Sequence, residues 1–210
     1  MNIKKILFYR SSGPSRVDII LDNAGFEVVT DLCLAEFLLS AKLATSIHFH
    51  GKVFPWFVSD VTQGDFDFSQ QHFMSCNSMA MDFFVKRWKS RLDDKSWTYQ
   101  ASEFWTMPFP YCDMEKRNPI LHKDLSSSSL LIFKGDLNYR KLTSDRSWVP
   151  STPFKESLQG FGPASICSLR TLKADVVTGL KEGQAEEVQA SDKDWMVNGN
   201  WAVISFCDTD

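Results

Sequence analysis

Four short stretches of the 210-residue chain carry side chains of the kind that do chemistry, each just past an apolar run. Asp22 and Asn23 follow Val17-Asp18-Ile19-Ile20-Leu21, and Ser59 and Asp60 follow Pro55-Trp56-Phe57-Val58. Lys134, Gly135 and Asp136 follow Leu130-Leu131-Ile132-Phe133, and Arg170, Thr171 and Lys173 follow Ala164 to Leu169. Carboxylate and amide oxygens are hard donors suited to Mg²⁺ or Mn²⁺. Lys and Arg suit a phosphate dianion, the first by point charge and the second by its planar fork. Three carboxylates gathered together repel one another unless a cation lies among them. The mixture points to metal-assisted phosphoryl chemistry. An Asp after a strand serves just as readily as the N-cap of the next helix.

Competing chemistries are weaker. His48 and His50 stand at i, i+2 and share a strand face, but no third nitrogen or sulfur ligand lies nearby to complete a zinc site. Five cysteines, none spaced C-x-x-C, read as reduced thiols and not as a disulfide framework. Cys167 precedes Arg170 by three residues, unlike the loop of cysteine phosphatases. The chain contains no P-loop, and no Gly-rich dinucleotide fingerprint follows the first strand. Phe83 to Arg91 alternates aromatic and basic residues, which reads as an amphipathic helix with solvated cations over a core stripe. Gly160-Phe161-Gly162-Pro163 reads as a turn.

The elements that must position these residues follow from periodicity. Val17–Leu21 reads as a strand, Phe26–Leu43 as a helix with near 3.6 spacing, and Thr45–His50 as a second strand. Together they make a βαβ unit, which implies a parallel sheet with a right-handed crossover. Leu130–Phe133 is a continuous apolar run, as expected for a strand covered on both faces. Ala164–Leu169 and Ala202–Phe206 are further strands, Phe66–Leu92 has a weak helical period, and Lys181–Val188 reads as a helix start. Ser126 to Ser129 form a turn before a strand. The expected fold is α/β, a mostly parallel sheet sandwiched by helices in the Rossmann-like manner. In such sheets ligands bind beyond the carboxyl ends of the strands, so the four stretches are expected at one rim.

Composition bounds the rest. Apolar residues at 43% and charged residues at 23% are those of a globular chain. Twenty-three Lys and Arg against 26 Asp and Glu leave a net charge of −3, which disfavours a nucleic-acid partner. No apolar run reaches the roughly 20 residues that span a bilayer. Residues 1–15 read as a loose leader and 16–210 as one domain. The missing targeting signals and the free thiols point to the cytoplasm, with the nucleus also open.

Four segments in order carry a family resemblance. Val17-Asp18-Ile19-Ile20-Leu21-Asp22-Asn23-Ala24-Gly25-Phe26-Glu27, Phe57-Val58-Ser59-Asp60, Phe133 to Leu142 and Arg170-Thr171-Leu172-Lys173 resemble the damage-control phosphatase family. The Arg-Thr-x-Lys element is similar to the mark of its sugar-phosphate-phosphatase subfamily III. The resemblance covers residues of about 16 to 206. It implies that Asp22, Asn23 and Asp60 hold a divalent metal, Mn²⁺ or Ni²⁺ with Mg²⁺ as another candidate. Asp22 and Asp60 would also be catalytic. Substrate-binding residues implied are Asp22, Asn23, Asp136, Leu137, Asn138, Tyr139, Arg140 and Lys173, with Lys173 on the phosphate. The implied reaction is hydrolysis of sugar phosphates such as fructose 1-phosphate and fructose 6-phosphate. An alternative implied by one branch is S-adenosylmethionine-dependent methylation of protein glutamate, with Glu27 and Asp60 near that cofactor. A third reading is an inactive short form that only binds partners. Family members carry a helical domain before the first motif, so the chain is expected to correspond to their C-terminal catalytic part.

Overall fold

The computed structural model describes residues 15–75 and 79–209. The leader expected over residues 1–15 falls, but for Ser15, outside the described residues, as does Cys76. Among the described residues the strands are β1 (Arg16–Ile20), β2 (Ser46–Gly51), β3 (Trp97–Ala101), β4 (Leu130–Lys134), β5 (Ile166–Thr171) and β6 (Ala202–Cys207), paired in the orders β3-β2-β1 and β4-β5-β6; β1, β2 and β3 are parallel, as are β4 and β5, and β6 is antiparallel to β5. The architecture is the expected α/β fold with a mostly parallel sheet. The chain divides into two compact units, residues 1–107 with 128–130, and residues 108–127 with 131–210.

In the first unit β1 (Arg16–Ile20) leads into α1 (Phe26–Ser40) and β2 (Ser46–Gly51). This is the βαβ unit read from the sequence. The helix stops at Ser40 and not at Leu43, because the amides of Leu43 and Ala44 turn back to the carbonyl of Leu38 and Lys42 adopts φ +57°. The long Phe66–Leu92 stretch becomes two helices, α2 (Gln63–Ser75) and α3 (Met79–Asp93). A strand that periodicity missed, β3 (Trp97–Ala101), pairs parallel with β2. Val17, Ile19, Ile47 and Phe49 are fully buried with Val28, Leu32 and Ala35 of α1 and Phe66, Trp88 and Trp97. Phe49 contacts Phe66 and Trp97 with ring centroids at 5.1 and 5.3 Å. Gly51 lies where Tyr99 approaches so closely that a Cβ would collide with the phenol ring.

In the second unit short helices α4 (Met114–Arg117) and α5 (Pro119–Leu125) precede β4 (Leu130–Lys134). Asn118 caps α5 by accepting the Leu121 amide, and Pro119 occupies its first turn. Helix α6 (Gly135–Leu142) starts directly at the end of β4, with Gly135 at φ +82° making the sharp corner. A one-turn helix α7 (Phe154–Ser157), β5 (Ile166–Thr171), α8 (Gln184–Ser191) and β6 (Ala202–Cys207) complete the unit. Its core is Tyr111, Met114, Leu121, Leu125, Leu131, Phe133, Tyr139, Leu142 and Ile166, with a satellite of Leu172, Val177 and Trp195. The turn expected over Gly160–Pro163 lies slightly earlier, at residues 158–160, and irregular chain follows it, with Phe161 buried against Tyr111 and Phe133.

Candidate active site

In the first unit the chain past β1 is stitched to the loop past β2 by backbone bonds. Leu21 N–H donates to the His50 carbonyl at 2.9 Å, Val61 N–H to Asp22 at 2.9 Å, and Ala24 N–H to Ser59 at 2.7 Å. Asn23 and Asp60 form an isolated antiparallel bridge, and Lys52 and Thr62 a parallel one. The loop between them, Val53 to Ser59, is exposed, and Pro55–Val58 is no strand. Its Val58 is fully solvent-facing, whereas Asp60 at its end is buried. The backbone therefore brings Asp22, Asn23 and Asp60 together, as the spacing argument requires.

The side chains interlock. Asn23 donates its amide N–H to Asp22 Oδ2 at 2.9 Å and to Glu27 Oε2 at 2.8 Å, and its Oδ1 accepts from the Ser59 hydroxyl at 2.6 Å. Asp60 accepts the Phe57 N–H on Oδ2 at 2.7 Å. Its Oδ1 accepts from the Lys52 ammonium at 2.8 Å, and the same ammonium stands 3.9 Å from Asp22 Oδ1. Lys52 was not among the residues singled out from sequence, since a lone lysine after a strand carries no local signal. Among the described residues no group of three or more His, Cys, Asp and Glu converges as a metal-ligand cluster. The donor set here is two carboxylates and one amide, all oxygen, which is the type that Mn²⁺ and Mg²⁺ take. A lysine ammonium stands beside both carboxylates, and a divalent ion would offset their mutual repulsion in the same way. These residues fit a hard divalent ion.

In the second unit the Arg-Thr-x-Lys segment is wound around Arg170. The buried Arg170 donates Nε–H to Asp136 Oδ1 at 2.7 Å, Nη2–H to the Ala174 carbonyl at 2.9 Å and Nη1–H to the Val176 carbonyl, and its guanidinium lies 4.3 Å from the Tyr139 ring centroid. Lys173 N–H also reaches Asp136 Oδ1, at 3.3 Å, and its side chain is exposed. Asp136 in the first turn of α6 thus orders the loop that presents Lys173. Asn138 is buried, accepting from the Tyr111 hydroxyl at 2.5 Å and donating to the Lys134 carbonyl at 2.7 Å. Tyr139 is buried too, its hydroxyl engaged by Thr178. Arg140 forms a bidentate pair with Asp145 at 2.8 and 2.6 Å, and that pairing holds the Asp145 carboxyl below its ordinary range. Leu137 is half-buried and Thr171 exposed.

The set-aside candidates have structural roles. His50 is fully buried with Nε2 2.8 Å from Asp18 Oδ2, and Asp18 also takes Arg16 and the Ser128 hydroxyl. Ser128 thus does more than form a turn. Cys167 is buried, and burial pushes its thiol up to about 11, so it is no ready thiolate. Arg87 and Arg91 of α3 pair with Glu36 of α1, which accounts for part of the basic stretch.

This geometry defines a class: an α/β domain with an oxygen-donor cluster past its first strand and an ordered cationic loop past its fifth. The sequence comparisons narrow it. Residues 2–188 match the family model of the damage-control phosphatase ARMT1-like domain, and the chain belongs to that family. It is 52% identical to damage-control phosphatase ARMT1 of Danio rerio over 199 residues, 94% of this chain and 44% of that protein. The Mus musculus and Homo sapiens proteins of the same name are 49% and 46% identical over 191 and 192 residues, each across 91% of this chain and 44% of their own length. The chain therefore spans somewhat under half the length of these curated relatives.

Proposed function

We propose that this chain is the catalytic part of a metal-dependent phosphomonoester hydrolase acting on small phosphorylated sugars such as fructose 1-phosphate and fructose 6-phosphate. The observation that carries the reading is the convergence of Asp22, Asn23 and Asp60, with Asp22 and Asp60 beside one cation, in a member of a family named for phosphatases. Asp22, Asn23 and Asp60 would hold Mn²⁺, Ni²⁺ or Mg²⁺, Asn23 through the oxygen that Ser59 now engages. A divalent ion held there supplies Lewis-acid polarisation of a phosphate oxygen and an activated water.

The rest is the work of the chain's own residues. Glu27 and Ser59 clamp the two ends of the Asn23 amide, so its orientation is fixed before substrate arrives. The Phe57 amide does the same for Asp60. In the second unit Lys173 is the residue proposed to contact phosphate, since preorganised positive charge of this kind favours phosphoryl transfer. Asp136 and Arg170 act one step back by ordering the Lys173 loop. Asn138 and Tyr139, engaged within the protein, shape the segment from beneath, while Arg140 would have to exchange Asp145 for substrate. Hydrolysis makes a bond from water oxygen to phosphorus, breaks the bond from phosphorus to sugar oxygen, and leaves the sugar alcohol protonated.

The test is phosphate release from fructose 1-phosphate by the purified chain with Mn²⁺ and with EDTA. The expected result is release with Mn²⁺ that EDTA stops. Asp22→Ala should lower it by at least about a hundredfold, the scale of a lost charge-stabilising group. Release that survives both EDTA and Asp22→Ala would overturn the assignment.

A further inference from the structure

Lys52 lies outside the residues that the sequence motifs mark, yet it is buried in the middle of the cluster. Its side chain is 3% exposed. Its backbone is pinned by a 3.0 Å bond from its N–H to the Val61 carbonyl and by the bridge to Thr62. It follows directly on Gly51, the last residue of β2, so the reach of its ammonium is set by the sheet. A buried lysine is costly without a counter-ion, and Asp60 Oδ1 at 2.8 Å, with Asp22 Oδ1 at 3.9 Å, provides it. The other Asp60 oxygen is already committed to the Phe57 amide. Both Asp60 oxygens thus already carry a hydrogen bond, and a divalent ion drawing on either sits within a few ångströms of the ammonium.

We propose that Lys52 is the resident cation of the Asp22–Asp60 pair, a positioning residue that holds both carboxylates in register and competes with the divalent metal for Asp60. This rests on the reading that Asp22, Asn23 and Asp60 bind the metal. Two consequences are coupled by simple electrostatics. Without the ammonium, two neighbouring carboxylates repel and the metal-free protein loses stability. For the same reason the metal gains, since a positive charge about 4 Å away no longer opposes it. Lys52 thereby sets how tightly the metal is held, keeping the cluster assembled when empty at the expense of affinity when filled.

The test measures Mn²⁺ binding by calorimetry on the 210-residue chain and on Lys52→Met and Lys52→Arg, with thermal melting of each in EDTA and in Mn²⁺. Lys52→Met should bind Mn²⁺ at least about tenfold more tightly than the wild type. It should melt lower in EDTA and recover most of that deficit in Mn²⁺. Lys52→Arg keeps the charge and should stay within about threefold of the wild type. Should Lys52→Met not fold, the lysine side-chain nitrogen resonances of the wild type decide the matter. The signal absent from Lys52→Arg should move when Mg²⁺ is added. Equal or weaker Mn²⁺ binding by folded Lys52→Met, or an unmoved Lys52 signal in a wild type that binds Mg²⁺, would overturn the role of Lys52 and leave the metal reading standing. A wild type that binds no Mn²⁺ would overturn both.

Discussion

At the scale of single residues, the molecule separates groups that act from groups that hold. Asp22, Asn23 and Asp60 belong to the first kind in our reading, and their meeting was expected because each follows directly on an apolar run. Lys52 was not, because its importance lies in a loop that folds back on the first strand, which no local pattern encodes. Asn138, Arg140 and Arg170 show the opposite limit. Their types suit a ligand, and their bonds to Tyr111, Asp145 and Asp136 leave no signal in the sequence. Asp18 is the clearest holding residue. Burial pushes its carboxyl up, but hydrogen bonds from His50 and Arg16 outweigh that and keep it below its ordinary 3.8. A depressed folded value stabilises above the unfolded value and is lost as pH falls through the folded one. The protein should therefore lose stability below about pH 4, read as a falling urea midpoint. Asp18→Asn should cost about 3 kcal/mol near neutral pH, the order seen when one partner of a buried pair is removed, and should flatten that acid limb.

At the scale of elements, the periodic pattern located β1, α1, β2, β4, β5 and β6 to within a few residues and missed β3. The reason is visible in Trp97-Thr98-Tyr99-Gln100-Ala101: the strand lies at the end of the sheet order, with Gln100 and Ala101 exposed, so it alternates neither cleanly nor long enough. What fixes it is tertiary, the contact of Trp97 with Phe49 and of Tyr99 with Phe66. Gly51 belongs to the same register. A Cβ there would fall within 1.8 Å of the Tyr99 hydroxyl, whose ring packs 4.8 Å from Phe66 and cannot simply swing away. Gly51→Ala should destabilise the chain by about 1–3 kcal/mol, seen as a lower urea midpoint with unchanged slope.

At the scale of the whole molecule, the fold class and the family were readable in advance, because four motifs in fixed order are a far narrower signal than any one of them. The division into two units was not, since composition is even across it. Among the described residues no helix is long and apolar enough to cross a membrane. A metal that binds only the folded chain stabilises all of it by mass action. At 100 times its dissociation constant Mn²⁺ should contribute about 2.7 kcal/mol, raising the melting temperature by roughly 5–10 °C for a chain of this size, and EDTA should reverse it. The central claim is that Asp22, Asn23 and Asp60 form the metal centre. Crystals of the chain soaked in Mn²⁺ and measured at the manganese edge test it most directly. One dominant anomalous peak should lie within ligand distance of oxygens of all three residues. A peak held elsewhere, with these three still bonded to Lys52 and Ser59, would contradict it.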